Sequence, residues 1–144
     1  MIMANQDTQE LNRFAKALMR LVRDPAIEGA DLLISARMEG PDGERWRHLV
    51  TSDDVHRALI ALIPEVVDQT LFELLNAVDN GELPIEWRAS DGSPTSLRDL
   101  GLGEMAGWLM ASPGWRHEYS SQRFFDPFAD LKLDLGRKAD DEMT

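Results

Sequence analysis

Cysteine is missing from this chain altogether, and that absence removes disulfides, thiolate metal ligands and a cysteine nucleophile together. It fits a reducing compartment, although secreted proteins lacking cysteine also exist. Long apolar runs are missing too: no segment approaches the roughly 20 residues of a membrane span. The opening MIMANQDTQE has neither the basic flank nor the apolar stretch of a secretory signal, so a cytoplasmic location is expected. Basic residues are scarce. Lys and Arg total 15 against 26 Asp and Glu, a formal net charge of −11. Duplex nucleic acid and anionic membranes are then poor partners, because both must be met with cations. The same charge favours a protein partner with a basic surface. The plainer alternative is that the charge only serves solubility.

What is present suits an ordinary folded protein. Of 144 residues, 43% are hydrophobic and 28% charged, enough apolar side chain for one core and too much for a disordered segment. No repeat, low-complexity run or linker divides the chain. One globular domain over residues 1–136 is expected, followed by a flexible charged tail, RKADDEMT, at 137–144.

Helical spacing opens the chain. Leu11, Phe14, Ala15, Leu18, Leu21 and Val22 recur at three- and four-residue intervals over 7–23, and Arg13, Lys16, Arg20 and Arg23 make this end basic. Asp24-Pro25 stops this helix or caps a second one. Residues 25–39 are open to either helix or strand. Gly29 and the turn signal Gly40-Pro41-Asp42-Gly43 favour a strand over 31–38, paired in a hairpin with RWRHLV at 45–50. Thr51, Ser52 and Asp54 resemble a capping box for a helix reaching Ile63. Pro64 then breaks or kinks the chain and starts another helix, which Asn80-Gly81 stops.

Leu83, Ile85, Trp87 and Ala89 alternate as a strand, with Pro84 marking its start or an edge. Asp91-Gly92 and Pro94 make a turn or loop. A helix around 102–111 and a short one at 127–135 flank the aromatic, irregular segment GWRHEYSSQRFF at 114–125. The expected fold is α+β: a helix-rich single domain with a small antiparallel sheet, a hairpin plus a later strand, packed against several helices.

One stretch stands apart electrostatically. Residues 58–87 contain no Lys or Arg but six acids, Glu65, Asp68, Glu73, Asp79, Glu82 and Glu86. At about 100° per residue, Val67, Leu71, Leu74, Leu75 and Val78 form the expected buried stripe of the helix. Glu65, Asp68, Asn76 and Asp79 form a separate stripe with Phe72 near its middle. An aromatic ringed by carboxylates is the composition of an interface anchor with a charged rim. Glu65, Asp68, Phe72, Asn76 and Asp79 are therefore the candidate partner-binding residues. The competing reading packs Phe72 against a neighbouring element.

A second cluster follows. Trp108, Trp115, Arg116, His117 and Tyr119 are the candidate lining of a small-ligand or hydrolytic pocket, with Arg123, Phe124, Phe125 and Phe128 close behind in sequence. The competing reading puts Trp108, Phe124 and Phe128 in the core and pairs Arg116 and Arg123 with carboxylates.

Catalytic signatures are thin. Glu104, His117, Glu118 and Tyr119 are the acid–base candidates, but the last three are adjacent, and an extended chain points adjacent side chains apart. There is no nucleophile elbow and no His-Glu-x-x-His pattern. His48 and His56 are a poor metal pair, and Gly101-Leu102-Gly103 lacks the rest of a phosphate loop. No metal or cofactor is expected. In size, acidity and lack of a catalytic pattern, the stretch from Leu71 to Phe125 resembles small bacterial proteins of the toxin-immunity or phage-encoded inhibitor kind. The resemblance carries no motif and transfers no residue roles. The expected function is a non-catalytic acidic protein of that inhibitor or immunity type, engaging a basic protein surface. The alternatives are the pocket around Trp108, Trp115, His117 and Tyr119, and a self-associating assembly subunit. A monomer or a homodimer is expected.

Overall fold

The computed structural model describes residues 2–35 and 38–129; the expected tail at 137–144 and most of the expected helix at 127–135 lie outside them. Helical backbone runs unbroken from Ile2 to Ile34 through α1 (Ile2–Leu18), a π-helical turn (Met19–Arg23) and α2 (Asp24–Ile34). Asp24-Pro25 does not stop it. Pro25 has no N–H to give, and the wider turn before it re-routes the ladder, with Asp24 N–H bonding the carbonyl of Met19. Gly29 imposes no break either, so the strand expected from residue 31 is helix up to Ile34.

The second arm of the expected hairpin is also helical, as α3 (Pro41–Leu49). Gly40, at φ +90°, turns the chain, and Pro41 takes the first helical position, where a missing N–H costs nothing. Gly43, Trp46 and Val50 then face inward at i, i+3 and i+7. Alternation over six residues is too short to separate from that spacing. Gly43 passes so close to Met38 that a Cβ would collide with the Met38 carbonyl.

α4 (Asp53–Asp79) begins on Ser52, whose hydroxyl accepts from Val55 N–H at 3.2 Å. It continues through Pro64 instead of restarting there. Pro64 cannot donate to the Ile60 carbonyl, and Arg123 replaces the lost donor, with Nε at 3.2 Å and Nη2 at 2.8 Å. The same guanidinium forks onto Asp31 at 2.7 and 2.9 Å. A distant arginine thus lets a proline sit inside a 27-residue helix.

β1 (Glu86–Arg88) and β2 (Pro94–Ser96) pair antiparallel, with Trp87 opposite Thr95. The strand expected at 83–89 exists, but its partner follows it around the Asp91-Gly92 turn instead of preceding it. Short helices α5 (Leu97–Leu100), α6 (Met105–Met110) and α7 (Trp115–Tyr119) come next. α7 falls inside the segment expected to be irregular. The described chain is therefore helix-rich α+β, with a small antiparallel sheet packed against helices.

The core joins Ala15, Leu18 and Met19 to Leu71, Leu75 and Val78 of α4, and to Leu97, Leu100, Met105, Ala106, Leu109 and Trp115. It surrounds only the C-terminal half of α4. Leu74, expected in the buried stripe, is 39% exposed. Among the described residues, no helix is long and apolar enough to cross a membrane.

Candidate functional site

The polar stripe of α4 is divided by its neighbours. Pro64, Asp68, Leu71, Leu75, Val78 and Asp79 are the buried residues of the helix, so two of the candidate partner-binding carboxylates lie inside the protein. Asp68 is 3% exposed and is held by two arginines. Arg23 reaches it with Nε at 2.6 Å and Nη2 at 3.1 Å, and Arg116 with Nη1 at 3.0 Å. Arg23 is wholly buried, so part of the basic character of the N-terminal helix is spent internally.

The network closes on the C-terminal strap, residues 120–128. Arg23 also donates to the Ser120 hydroxyl at 2.8 Å and the Arg123 carbonyl at 2.9 Å. Asp24 accepts from the hydroxyl and N–H of Ser121 at 3.0 and 2.9 Å, and from Ser120. Burial opposes ionisation of Asp24, but the bonds from Ser120 and Ser121 and the charge of Arg23 outweigh it and hold its carboxyl below the usual range. Two arginines and two aspartates balance in charge, which is how such groups tolerate the interior. Asp68 therefore cannot meet a partner.

Phe72, Asn76 and Asp79 have a different setting. They line a groove between α4 and α6 whose other wall is Gly103, Glu104, Ala106, Gly107 and Trp108, a cavity of about 470 Å³. Phe72 and Trp108 are half-buried and rest on the core. Asp79 is 7% exposed. Its Oδ2 accepts the Ala106 N–H at 2.9 Å, capping α6, whose own leading residue Glu104 offers no side-chain cap. Its Oδ1 is buried without a donor among the described residues. Glu65, the remaining stripe residue, is exposed and lines separate hollows with Phe125 under the strap.

Trp108 also borders a second hollow of about 440 Å³, with Ala111, Pro113, Gly114, Trp115, His117 and Glu118. Three of the five residues expected to line a ligand pocket thus meet: Trp108, Trp115 and His117. Arg116 does not join them. It is 2% exposed and turned to Asp68, with further bonds to the carbonyls of Leu109 and Met110 at the end of α6. Tyr119 packs on the core, and burial, followed by the charge of Glu118, pushes its hydroxyl pKa up. The pairing of Arg116 with Asp68 and of Arg123 with Asp31 follows the competing reading of these residues. Phe128, placed in the core by that reading, is 52% exposed.

His117 is committed to structure. Its Nδ1 accepts the Gly114 N–H at 3.1 Å, so the ring proton sits on Nε2, which donates to Asp126 Oδ2 at 3.1 Å. Ser112 donates to the same oxygen at 2.7 Å. That serine hydroxyl most of all, helped by the Phe128 N–H and His117, lowers the Asp126 carboxyl pKa. Both imidazole nitrogens are engaged, so His117 as placed is a brace between α7 and the strap. Among the described residues, no three metal-ligating side chains converge.

Glu10 is a polar anchor that sequence reasoning did not single out. Its carboxylate accepts from the N–H and hydroxyl of Ser90, from Trp87 Nε1 at 3.0 Å and from Arg13 Nε at 2.9 Å. The Ser90 hydroxyl and N–H contribute most, burial opposes them, and Trp87 and Arg13 add to bring the carboxyl down to about 2. This cluster pins the β-hairpin to α1. Trp87 and Ser90 lie about eighty residues away in sequence, so no local pattern announces the anchor.

The geometry therefore merges halves of two expected sites. Phe72, Asn76 and Asp79 meet Trp108, and Glu104 joins them unforeseen as a binding residue. No protein-family model, no curated protein and no solved structure matches the chain.

Proposed function

We propose that this protein is a non-catalytic binding protein that presents the acidic, aromatic face around Trp108 to a basic surface of a protein partner. The observation that carries the proposal is the make-up of the two hollows sharing Trp108. Their linings include Phe72, Trp108 and Trp115 with the carboxylates Asp79, Glu104 and Glu118, and no Lys or Arg. Leu102, which immediately precedes Gly103 and Glu104 of the groove, is 75% exposed and held at φ +54°. Leucine rarely adopts that left-handed backbone, and an exposed side chain adds nothing to the core; a partner surface gives it a use. Carboxylates speed encounter with a basic partner, and aromatic anchors slow dissociation. An inhibitor or immunity-type protein of a bacterium or phage, working in the cytoplasm, fits this design.

The test is site-specific photo-crosslinking in cells of the source organism. A benzophenone amino acid at Leu102 should capture a discrete protein with a basic surface. The same probe at Glu28, exposed on α2, should not. Binding of the captured protein should weaken with salt and with Trp108→Ala by about 2 kcal/mol or more, the range of an aromatic hot spot. Equal capture at both positions, or none at Leu102, would sink the proposal.

A further inference from the structure

We infer that the groove between α4 and α6 is a slot for a guanidinium group, an arginine side chain of the partner. This rests on the reading of the Trp108 face as a binding surface and adds the chemistry of what enters it. The first support is Asp79. It lines the groove, is 7% exposed, and its Oδ1 has no donor among the described residues. That oxygen is closed to solvent, so a ligand in the groove does not touch it; the unpaired carboxylate instead favours a cation in the groove through the low-dielectric wall. Arg98 lies nearby, but its Nε is bonded to the Asp79 main-chain carbonyl at 3.0 Å, and the Asp79 carboxylate has no ion pair among the described residues. Glu104 adds a second negative charge at the groove wall.

The second support is Gly107. Glycine inside a helix is less stable than alanine there. A Cβ at Gly107 would meet nothing within 4 Å, so packing does not require the glycine. Its missing side chain keeps the groove open beside Trp108.

The nature of the occupant follows from the walls. An anion would be repelled by Asp79 and Glu104. An apolar group would desolvate the exposed Glu104 without compensation. A guanidinium is flat and weakly hydrated; it stacks on aromatic faces such as Phe72 and Trp108 and forks its donors to carboxylates. An ammonium is more strongly hydrated and presents no such plane.

The experiment is an amide and indole NMR titration of the intact protein with N-acetyl-arginine methylamide, alongside the lysine and citrulline counterparts. Citrulline keeps the shape of arginine and removes the charge. Arginine amide should give saturable shifts at Gly103, Gly107 and the Trp108 indole, with citrulline about tenfold weaker and lysine weaker than arginine. Glu104→Gln should weaken the arginine response about threefold or more. Gly107→Leu should abolish it while thermal unfolding stays the same or rises, because a helical glycine is replaced in open space. Absent or non-saturating shifts at these positions would overturn the slot, as would a citrulline or lysine response equal to that of arginine. A basic protein captured at Leu102 alongside a failed titration would leave the binding face standing and remove only the guanidinium slot.

Discussion

The two halves of α4 belong to one helix and are similarly rich in apolar residues, yet they meet the rest of the protein differently. Before Pro64, no residue of α4 is fully buried, and Val55 and Leu62 are 40% and 49% exposed. After it, Leu71, Leu75 and Val78 sink into the main core and Asp68 is sealed by two arginines. α2 and α3 meet the first turns around an open hollow lined by Ile34, Val50 and His56. α1, α5 and α6 clasp the last turns closely. The difference teaches that apolar content does not decide burial here; how closely the facing elements pack does. It also explains why the N-terminal half relies on a polar clasp, with Arg123 joining the Ile60 carbonyl to Asp31.

Breaking the C-terminal half should cost most at Asp68. Asp68→Ala leaves Arg23 and Arg116 buried without their shared counter-ion, a loss of about 3–5 kcal/mol, measured by urea unfolding. A loss below about 1 kcal/mol would mean that the network is solvated and that the strap does not seal it. Next comes a paired comparison along the helix. Leu75→Ala should destabilise by about 2–5 kcal/mol, and Leu62→Ala by no more than about 0.5 kcal/mol. Equal effects would erase the contrast between the halves.

The smallest effect depends on pH and lies away from α4, at Glu10. Its folded-state pKa, about 2, is below the ordinary 4.5, so ionised Glu10 favours the folded state. That contribution is complete above the ordinary value and is lost as pH falls through the folded one. Thermal melts from pH 4.5 down to about 2 should therefore fall more steeply for the native chain than for Glu10→Gln. Parallel curves would show that Glu10 does not anchor the hairpin.

Much of the helical content was legible in local signals. Ser52 starts α4, Gly81 at φ +75° follows its end, and the alternation around Trp87 marks a strand. Asp24-Pro25 and Pro64 are strong local breakers, and each is overridden by structure that the local residues do not announce: the π-turn before Pro25 and Arg123 behind Pro64. Gly29 stays helical within α2, with nothing within 4 Å of where a Cβ would stand. At the candidate site, the spacing puts Phe72, Asn76 and Asp79 along one groove, but it does not show that Asp68 and Asp79 turn inward. The buried face of α4 is rotated toward Asp68 and Asp79, because arginines from α7 and the π-turn, and the first turn of α6, wait there.

The sequence by itself determined the acidity, the base-free stretch from 58 to 87 and the helical or extended character of most segments. These depend on composition and on neighbours a few residues apart. Only the tertiary structure decided which carboxylates remain for a partner. Asp68 and Glu65 look alike along the chain, and one is neutralised by arginines 45 and 48 residues away while the other faces solvent. The charge that reaches the surface is what the interior leaves unpaired, and pairing over such separations is written in the packing, not in local spacing.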